Sequence, residues 1–321
     1  MKKTFLGLAL ASLALAASPA AAEEFPARPI TIIVPYSAGG STDSLARALG
    51  NEVSKETGQS VVIENRPGGS TVIGAQGLLG KPADGYTTLL IAASFVINPN
   101  TIKTLPYDSQ KDFQPVTQLS ANPHLLVVNN DLPVSNLQEF IEWAQKPESN
   151  GTFSSFGLGS SGHLGFELLK KHASIDMLHV PYKGSAPATM AVLSGEVNAS
   201  LGDVGVIAPH VQAGKLKAIA VTGDARLEAL PDVPTFAEQG MKDFTSQTWS
   251  GLLVRSAVES DKVKRLNELF TTALTAPQVQ TILKQQAMQA RPSTPEAFDD
   301  FMKSEGEKYA QAIKEAGIEL Q

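Results

Sequence analysis

Short β-branched runs alternate along this chain with stretches of helical period, and the junctions between them are rich in Gly, Ser and Pro. This alternation constrains the fold more than any other feature. Parallel strands need crossover connections of about a dozen residues or more, usually helices. Ile30-Thr31-Ile32-Ile33-Val34 reads as a buried parallel strand. Gly39-Gly40 then turns the chain, and Ser41, Thr42 or Asp43 can cap a helix that carries Leu45, Leu49 and Val53 and ends at Gly58. Further strands are expected at 61–63, 87–92, 124–129, 152–155, 176–180, 199–201, 218–221 and 249–254. Helices are expected from Asn136, Ser161 and Pro187, near Pro209, and at 261–275, 278–286 and 295–316, with Pro277 and Pro292 as breaks.

The fold class is therefore α/β, and 321 residues suffice for two domains at ~100–200 residues each. Residues 125–245 read as a complete α/β unit inserted into another formed by 23–124 and 246–321. An insertion of this kind requires two crossing segments and leaves a cleft between the domains.

Met1-Lys2-Lys3, the apolar run from Phe5 to Ala17, and Ser18-Pro19-Ala20-Ala21-Ala22 form the three parts of a cleaved secretory signal over 1–22. The run is shorter than the ~20 residues that span a bilayer, and no other segment is apolar enough to do so. Cleavage after Ala22 leaves 299 residues, and loss of Lys2 and Lys3 takes the net charge from −6 to −8. The expected product is soluble and exported, periplasmic in a bacterium with two membranes. With 26 Lys+Arg against 32 Asp+Glu there is no basic excess to neutralise phosphates, so nucleic acid is not an expected partner. The absence of cysteine excludes disulfides, Cys-ligated zinc, Fe–S clusters, a Cys nucleophile and a lipoprotein anchor.

Ligands of open α/β sheets bind beyond the carboxyl ends of strands, where helix N-termini offer free N–H groups. Three strand-to-helix turns have the right composition: 35–43 (PYSAGGSTD), 157–163 (GLGSSGH) and 180–187 (VPYKGSAP). Such loops let backbone approach an anion closely, although they also serve simply as capped tight turns. Residues 157–162 fit G-x-G-x-x-G, but Pro181-Tyr182-Lys183 stands where a dinucleotide fold needs an acidic residue, so no nucleotide cofactor is expected. Ser161 lacks the second glycine of a nucleophile elbow. A set of Ser160, His163 and Asp203 could assemble only in space, with two members on one short loop. The histidines at 124, 163, 172, 179 and 210 show no metal-ligand spacing, so no metal is expected. His163, at a helix start, can face the cleft or pack. Asp203, at a strand end, can cap the following helix or accept a hydrogen bond from a ligand hydroxyl or amine. Arg66 can clamp a carboxylate or serve the surface, and Trp249 and Tyr107 read as packing residues.

Residues 35–43, 64–69 (ENRPGG), 81–87 (KPADGYT), 180–187, 213–218 (AGKLKA) and 233–235 (VPT), in this order, resemble the signatures of the Bug/TctC family of extracytoplasmic solute receptors. The resemblance covers nearly the whole chain after residue 22. It implies a type II periplasmic binding-protein fold, two α/β domains joined by two crossing segments and closing on a ligand. It also implies a small carboxylate held largely by backbone groups and ordered waters. The implied ligand-binding residues are Tyr36, Ser37, Ala38, Gly39, Gly40 and Asp43, with Ser94 and Phe95, in the first domain. In the second they are Ser160, Ser161, His163, Gly184, Ser185, Ala186 and Asp203.

The leading expectation is a monomeric receptor, with no catalytic residues, metal or cofactor, that delivers a small carboxylate to the membrane subunits of a tripartite tricarboxylate transporter. The alternatives are a carboxylate enzyme on the same fold and a receptor presenting its ligand to a membrane sensor kinase. The exported protein should begin at Glu23 or a neighbour by intact mass, whereas a membrane-embedded mature form retaining Met1 would contradict the signal assignment.

Overall fold

The computed structural model describes residues 25–316, so the expected signal at 1–22 lies outside the described residues. In chain order the elements are β1 (Ile30–Val34), α1 (Ser41–Thr57), β2 (Val61–Asn65), α2 (Val72–Leu79), β3 (Thr87–Ala92), α3 (Ser94–Ile97) and β4 (Phe113–Asn129). Then come α4 (Leu137–Ala144), β5 (Thr152–Ser155), α5 (Ser161–Ala173), β6 (Leu178–Pro181), α6 (Ser185–Leu193), β7 (Ala199–Asp203), α7 (Val204–Gln212) and β8 (Leu216–Val221). The chain closes with β9 (Gln247–Arg255), α8 (Ser260–Thr275), α9 (Pro277–Gln285), β10 (Gln289–Ala290) and α10 (Pro295–Ala316).

The strands form two lobes of the same design. The first has the order β2-β1-β3-β9-β4, with the two-residue β10 beyond β4, and the second β6-β5-β7-β4-β8, with β4 common to both. In each lobe the strands joined by helices pair in parallel, while one strand that has crossed from the other lobe runs antiparallel to its neighbours. β4 makes the first crossing itself: residues 113–123 pair with β9, and from His124 onward it pairs with β7 and β8. The return segment after β8 lies beside it. His124 N–H donates to Thr222 Oγ1 at 2.8 Å, Thr222 N–H donates to the His124 carbonyl at 2.9 Å, and His124 Nδ1 meets Ser246 Oγ at 2.7 Å.

Each sheet is covered on both faces, as parallel sheets must be. Ile30, Ile32 and Val34 point to a core closed by α1, α8 and α9, while Ile33, Leu89 and Ile91 point to another closed by α2 and α10. In the second lobe Leu126, Val128 and Phe153 face α4 and α5, and Leu125 and Val127 face α6 and α7.

The departures from the expected elements have physical causes. β4 begins eleven residues before the expected His124; Pro115 lies at a register shift, where a missing N–H is tolerated, and Pro123 marks the last pair with β9. α2 was not expected, because Gly74 and Gly77 lower its helical propensity. Both are there for space: a Cβ on Gly74 would stand 2.6 Å from Pro35 Cβ, and one on Gly77 would stand 2.9 Å from Arg66 Nη1. α6 starts at Ser185, ahead of the expected Pro187, since a helix's first turn needs no N–H from proline.

Gly251 in β9 has no room for a side chain. A Cβ there would come within 2.1 Å of Phe298 Cζ and 2.9 Å of the Thr117 carbonyl oxygen. Gly251→Ala should cost about 1–3 kcal/mol in urea unfolding, the range for overpacking a filled core. A midpoint equal to that of the wild type would contradict this packing.

Candidate functional site

Where the lobes meet, three helices begin. α1 follows Gly40, α6 follows Gly184 and α7 follows Asp203, and none of these N-cap residues places a side chain on its helix's free N–H groups. By contrast, Ser160 caps α5 by accepting from His163 N–H at 3.3 Å. Ser41, Thr42, Ser185 and Asp203, at the starts of the three helices, line a cavity of about 20 Å³. Its floor comes from the crossing strands, through Ser120 and Asn122 of β4 and Thr248, Trp249 and Ser250 of β9, and Tyr36, Ala92, Phe156 and Met288 complete the wall. Among the described residues no Lys or Arg side chain lines it. Positive potential therefore comes from helix N-termini, each equivalent to roughly half a charge, and from hydroxyl and amide donors.

The first-lobe loop is shaped by its neighbours. Gly39 has φ 83°, which favours glycine. Gly40 is extended at φ −80°, and its requirement is space, since a Cβ would sit 3.0 Å from Ser185 Oγ of the other lobe. Asp43 accepts from Gly39 N–H at 3.0 Å, from Arg47 Nε and Nη2, and from Asn65 Nδ2 at 2.9 Å. Burial pushes its pKa up, and the hydrogen bonds from Arg47, Gly39 and Asn65 outweigh that and hold it below the usual carboxylate range. Asp43 thus braces the loop and does not line the cavity.

Contacts between the lobes are direct. Ser37 donates from both its N–H (3.0 Å) and its Oγ (2.8 Å) to the Lys183 carbonyl, and Ser41 Oγ donates to Asp203 Oδ2 at 2.5 Å. Asp203 stands at the N-cap position of α7 yet makes no side-chain cap bond. Burial raises its pKa against the opposing influence of the Ser41 and Ser185 hydroxyls. Tyr36 is buried, its phenol pushed up by desolvation, and its Oη donates to Ser94 Oγ at 3.4 Å.

Of the residues expected at the site, Tyr36, Ser185 and Asp203 line the cavity. Gly40 and Gly184 form the close approach between lobes, and Ala38 and Gly39 are exposed outside the cavity lining. Ala186 follows Ser185 in the first turn of α6, half-buried and outside the lining. Phe95 packs in the core against Tyr107 and Phe113. Ser161 Oγ contacts His124 Nε2 at 3.3 Å. His163 turns into the second lobe, where its ring stacks on His179 at 3.9 Å and its Nδ1 accepts from Gly159 N–H at 3.1 Å. Burial takes its pKa down to about 4 and that of His179 to about 3. A nucleophile–base–carboxylate set of Ser160, His163 and Asp203 does not assemble, since Asp203 is engaged by Ser41 and His163 by Gly159. Arg66 pairs with Glu64 at 2.6 Å away from the cavity.

The strand floor was missed in the sequence. Ser120, Asn122, Thr248 and Ser250 are polar residues buried in two strands of one sheet, and that combination is the signal that could have found them.

Two lobes of equal strand order, two crossings and a cavity at their junction define a periplasmic binding protein. Residues 45–318 match the family described as the tripartite tricarboxylate transporter family receptor, TctC, and the chain belongs to that family. Protein BugT of Bordetella pertussis is 33% identical over 319 residues, covering 98% of this chain and 97% of BugT. The solved structure of the periplasmic binding protein BugD superposes with a TM-score of 0.88 at 30% identity, covering 92% of this chain and 100% of that one. Rpa4515 of R. palustris with adipate gives a TM-score of 0.89 at 30% identity over 93% of this chain and 100% of that one. MatC from Rhodopseudomonas palustris with bound malate gives 0.85 at 28% identity over 90% and 100%.

His124, fully buried at the crossing, has its pKa driven down to about 3 by desolvation. It stays neutral in the native state while the unfolded chain takes up a proton near the ordinary value of 6.5. Its contribution is therefore complete above that value and is lost as pH falls toward 3, by about 1.4 kcal/mol per pH unit. His124→Gln should make the loss of urea stability between about pH 6 and 4 shallower by that amount. Equal slopes in the two proteins would refute it.

Proposed function

We propose that this protein is exported to the periplasm, captures a small organic carboxylate between its lobes as a monomer, and hands it to the membrane subunits of a tripartite tricarboxylate transporter. The observation that carries this reading is the convergence of three uncapped helix N-termini on one hydroxyl-lined cavity without a cationic side chain. Such a site stabilises an anion through fixed backbone dipoles and offers no activated nucleophile. Adipate in Rpa4515 and malate in MatC point to the same ligand class. Among the described residues no helix is long and apolar enough to cross a membrane.

The moving bodies are 23–124 with 246–321, and 125–245, pivoting where His124, Thr222 and Ser246 tie the two crossings together. A cavity of about 20 Å³ holds little more than a water, so a ligand of several carbons enters as the lobes part. Its carboxylate is received by N–H groups at the starts of α1 and α6, with Ser37 to Gly40 and Gly184 to Ala186 as the facing loops. Ligand touching both lobes favours closure by its differential affinity for that state.

A thermal-shift screen of mono-, di- and tricarboxylic acids on the mature chain should find acids that raise the melting midpoint, with each acid recovered unchanged by NMR. Ligand at 100 times its Kd stabilises by about 2.7 kcal/mol. Gly40→Val, whose side chain would press on Ser185, should abolish that shift while the free protein melts only slightly earlier. An unshifted midpoint with every acid, turnover of a bound acid, or wild-type affinity in Gly40→Val would each overturn the reading.

A further inference from the structure

Among the described residues, two polar groups in the cavity wall have no hydrogen-bond partner in the protein. Asn122 Nδ2, on β4, is a donor with nothing to donate to, and Asp203 Oδ1, at the start of α7, is an acceptor with nothing to accept from. Their residues are 3% and 6% exposed, so bulk water does not satisfy them. Most buried polar atoms in proteins are paired, and an orphaned one costs about as much as a lost hydrogen bond. The two orphans belong to different lobes and line the same cavity.

The neighbours do not account for them. The Ser41 hydroxyl is committed to Asp203 Oδ2, the Ser185 hydroxyl acts on the carboxylate from nearby without a hydrogen bond of ordinary geometry to Oδ1, and Asp203 makes no bond to its own helix. Ser120 and Ser250 bond each other across β4 and β9 at 2.8 Å, so neither is obliged to serve Asn122. The wall thus presents one amide donor and one carboxylate acceptor alongside the helix ends that suit an anion.

The chemistry of the two groups selects their complement. A second carboxylate placed at Asp203 would meet like charge, and a methylene would leave both orphans unsatisfied. An ammonium would satisfy Asp203 but offers Asn122 nothing to accept with. A hydroxyl donates once and accepts twice, so a single group can donate to Asp203 Oδ1 and accept from Asn122 Nδ2. Resting on the carboxylate-receptor reading above, we infer that Asp203 and Asn122 are specificity residues that select carboxylates bearing a hydroxyl group over their unsubstituted counterparts. Sites built to hydrogen-bond a hydroxyl reject analogues that lack it far more strongly than apolar pockets reject a missing methylene.

The test is calorimetry on the mature chain with matched acids: succinate, malate and aspartate at four carbons, and adipate with 2-hydroxyadipate at six. At whichever length binds, the hydroxy acid should bind about tenfold or more tightly than the unsubstituted acid, the size of one hydrogen bond to a charged group. Asp203→Asn, which removes the charge and keeps the shape, and Asn122→Leu, which removes the donor at similar volume, should each bring that ratio toward one. Circular dichroism establishes that both variants are folded, and the wild-type ratio stands as evidence without them. Hydroxy and unsubstituted acids bound equally by the wild type, a preference for aspartate over malate, or an undiminished ratio in Asp203→Asn would overturn the inference while leaving the receptor reading intact. If no acid binds at any length, the receptor reading itself falls.

Discussion

β4 is a single hydrogen-bonded strand of 17 residues that serves both sheets, paired with β9 and β10 in one and with β7 and β8 in the next. The relation between the lobes depends on it. Among the described residues one other segment returns, and it is bonded to β4 at the point where the strand changes partners, through Thr222 and Ser246 around the buried His124. Two adjacent crossings restrain translation of one lobe against the other while permitting rotation about the point they share. The helices that start at the lobe junction are carried by parallel strands on either side, so such a rotation would bring their N-termini together or apart.

The junction is electrostatically economical. A chain with formal charge −6 has no overall attraction for an anion, and among the described residues no Lys or Arg lines the cavity. Uncapped helix ends provide a positive potential that needs no counter-ion and loses nothing to side-chain ordering. The glycines make the approach possible: Gly40 lies against Ser185, and Gly184 against the Ser37 amide, at distances that a Cβ would crowd. Asp203 is the exception, a buried carboxylate among donors, partnered through one oxygen by Ser41 across the junction.

Much of the fold was legible because its strands are buried on both faces. Runs such as Ile30–Val34 and Thr87–Ala92 have no polar alternation to confuse their reading, and both form at the expected bounds. The first half of β4 was illegible for the opposite reason. Pro115 and Pro123 discourage a strand, and Ser120 and Asn122 are polar where a core strand should be apolar. α2 was hidden by Gly74 and Gly77, whose purpose is contact with Pro35 and Arg66, far away in local terms and adjacent in space. The site was legible only in its loops. Tyr36 and Ser185 sit in turns whose composition announced them and Asp203 at an expected strand end, whereas the floor of β4 and β9 residues had no such signal.

The sequence alone determined the α/β alternation, the family and the Gly-Ser turns, because these follow from local periodicity and from motifs of adjacent residues. Tertiary structure decided the direction of each side chain. His163 and Asp43 lie in candidate loops, yet one ring stacks on His179 and the other carboxylate is taken by Arg47, Gly39 and Asn65. Asp203 occupies a capping position and bonds Ser41, 162 residues away in sequence. A side chain's partner depends on which atoms the folded chain brings within about 3 Å, and no local pattern encodes that distance.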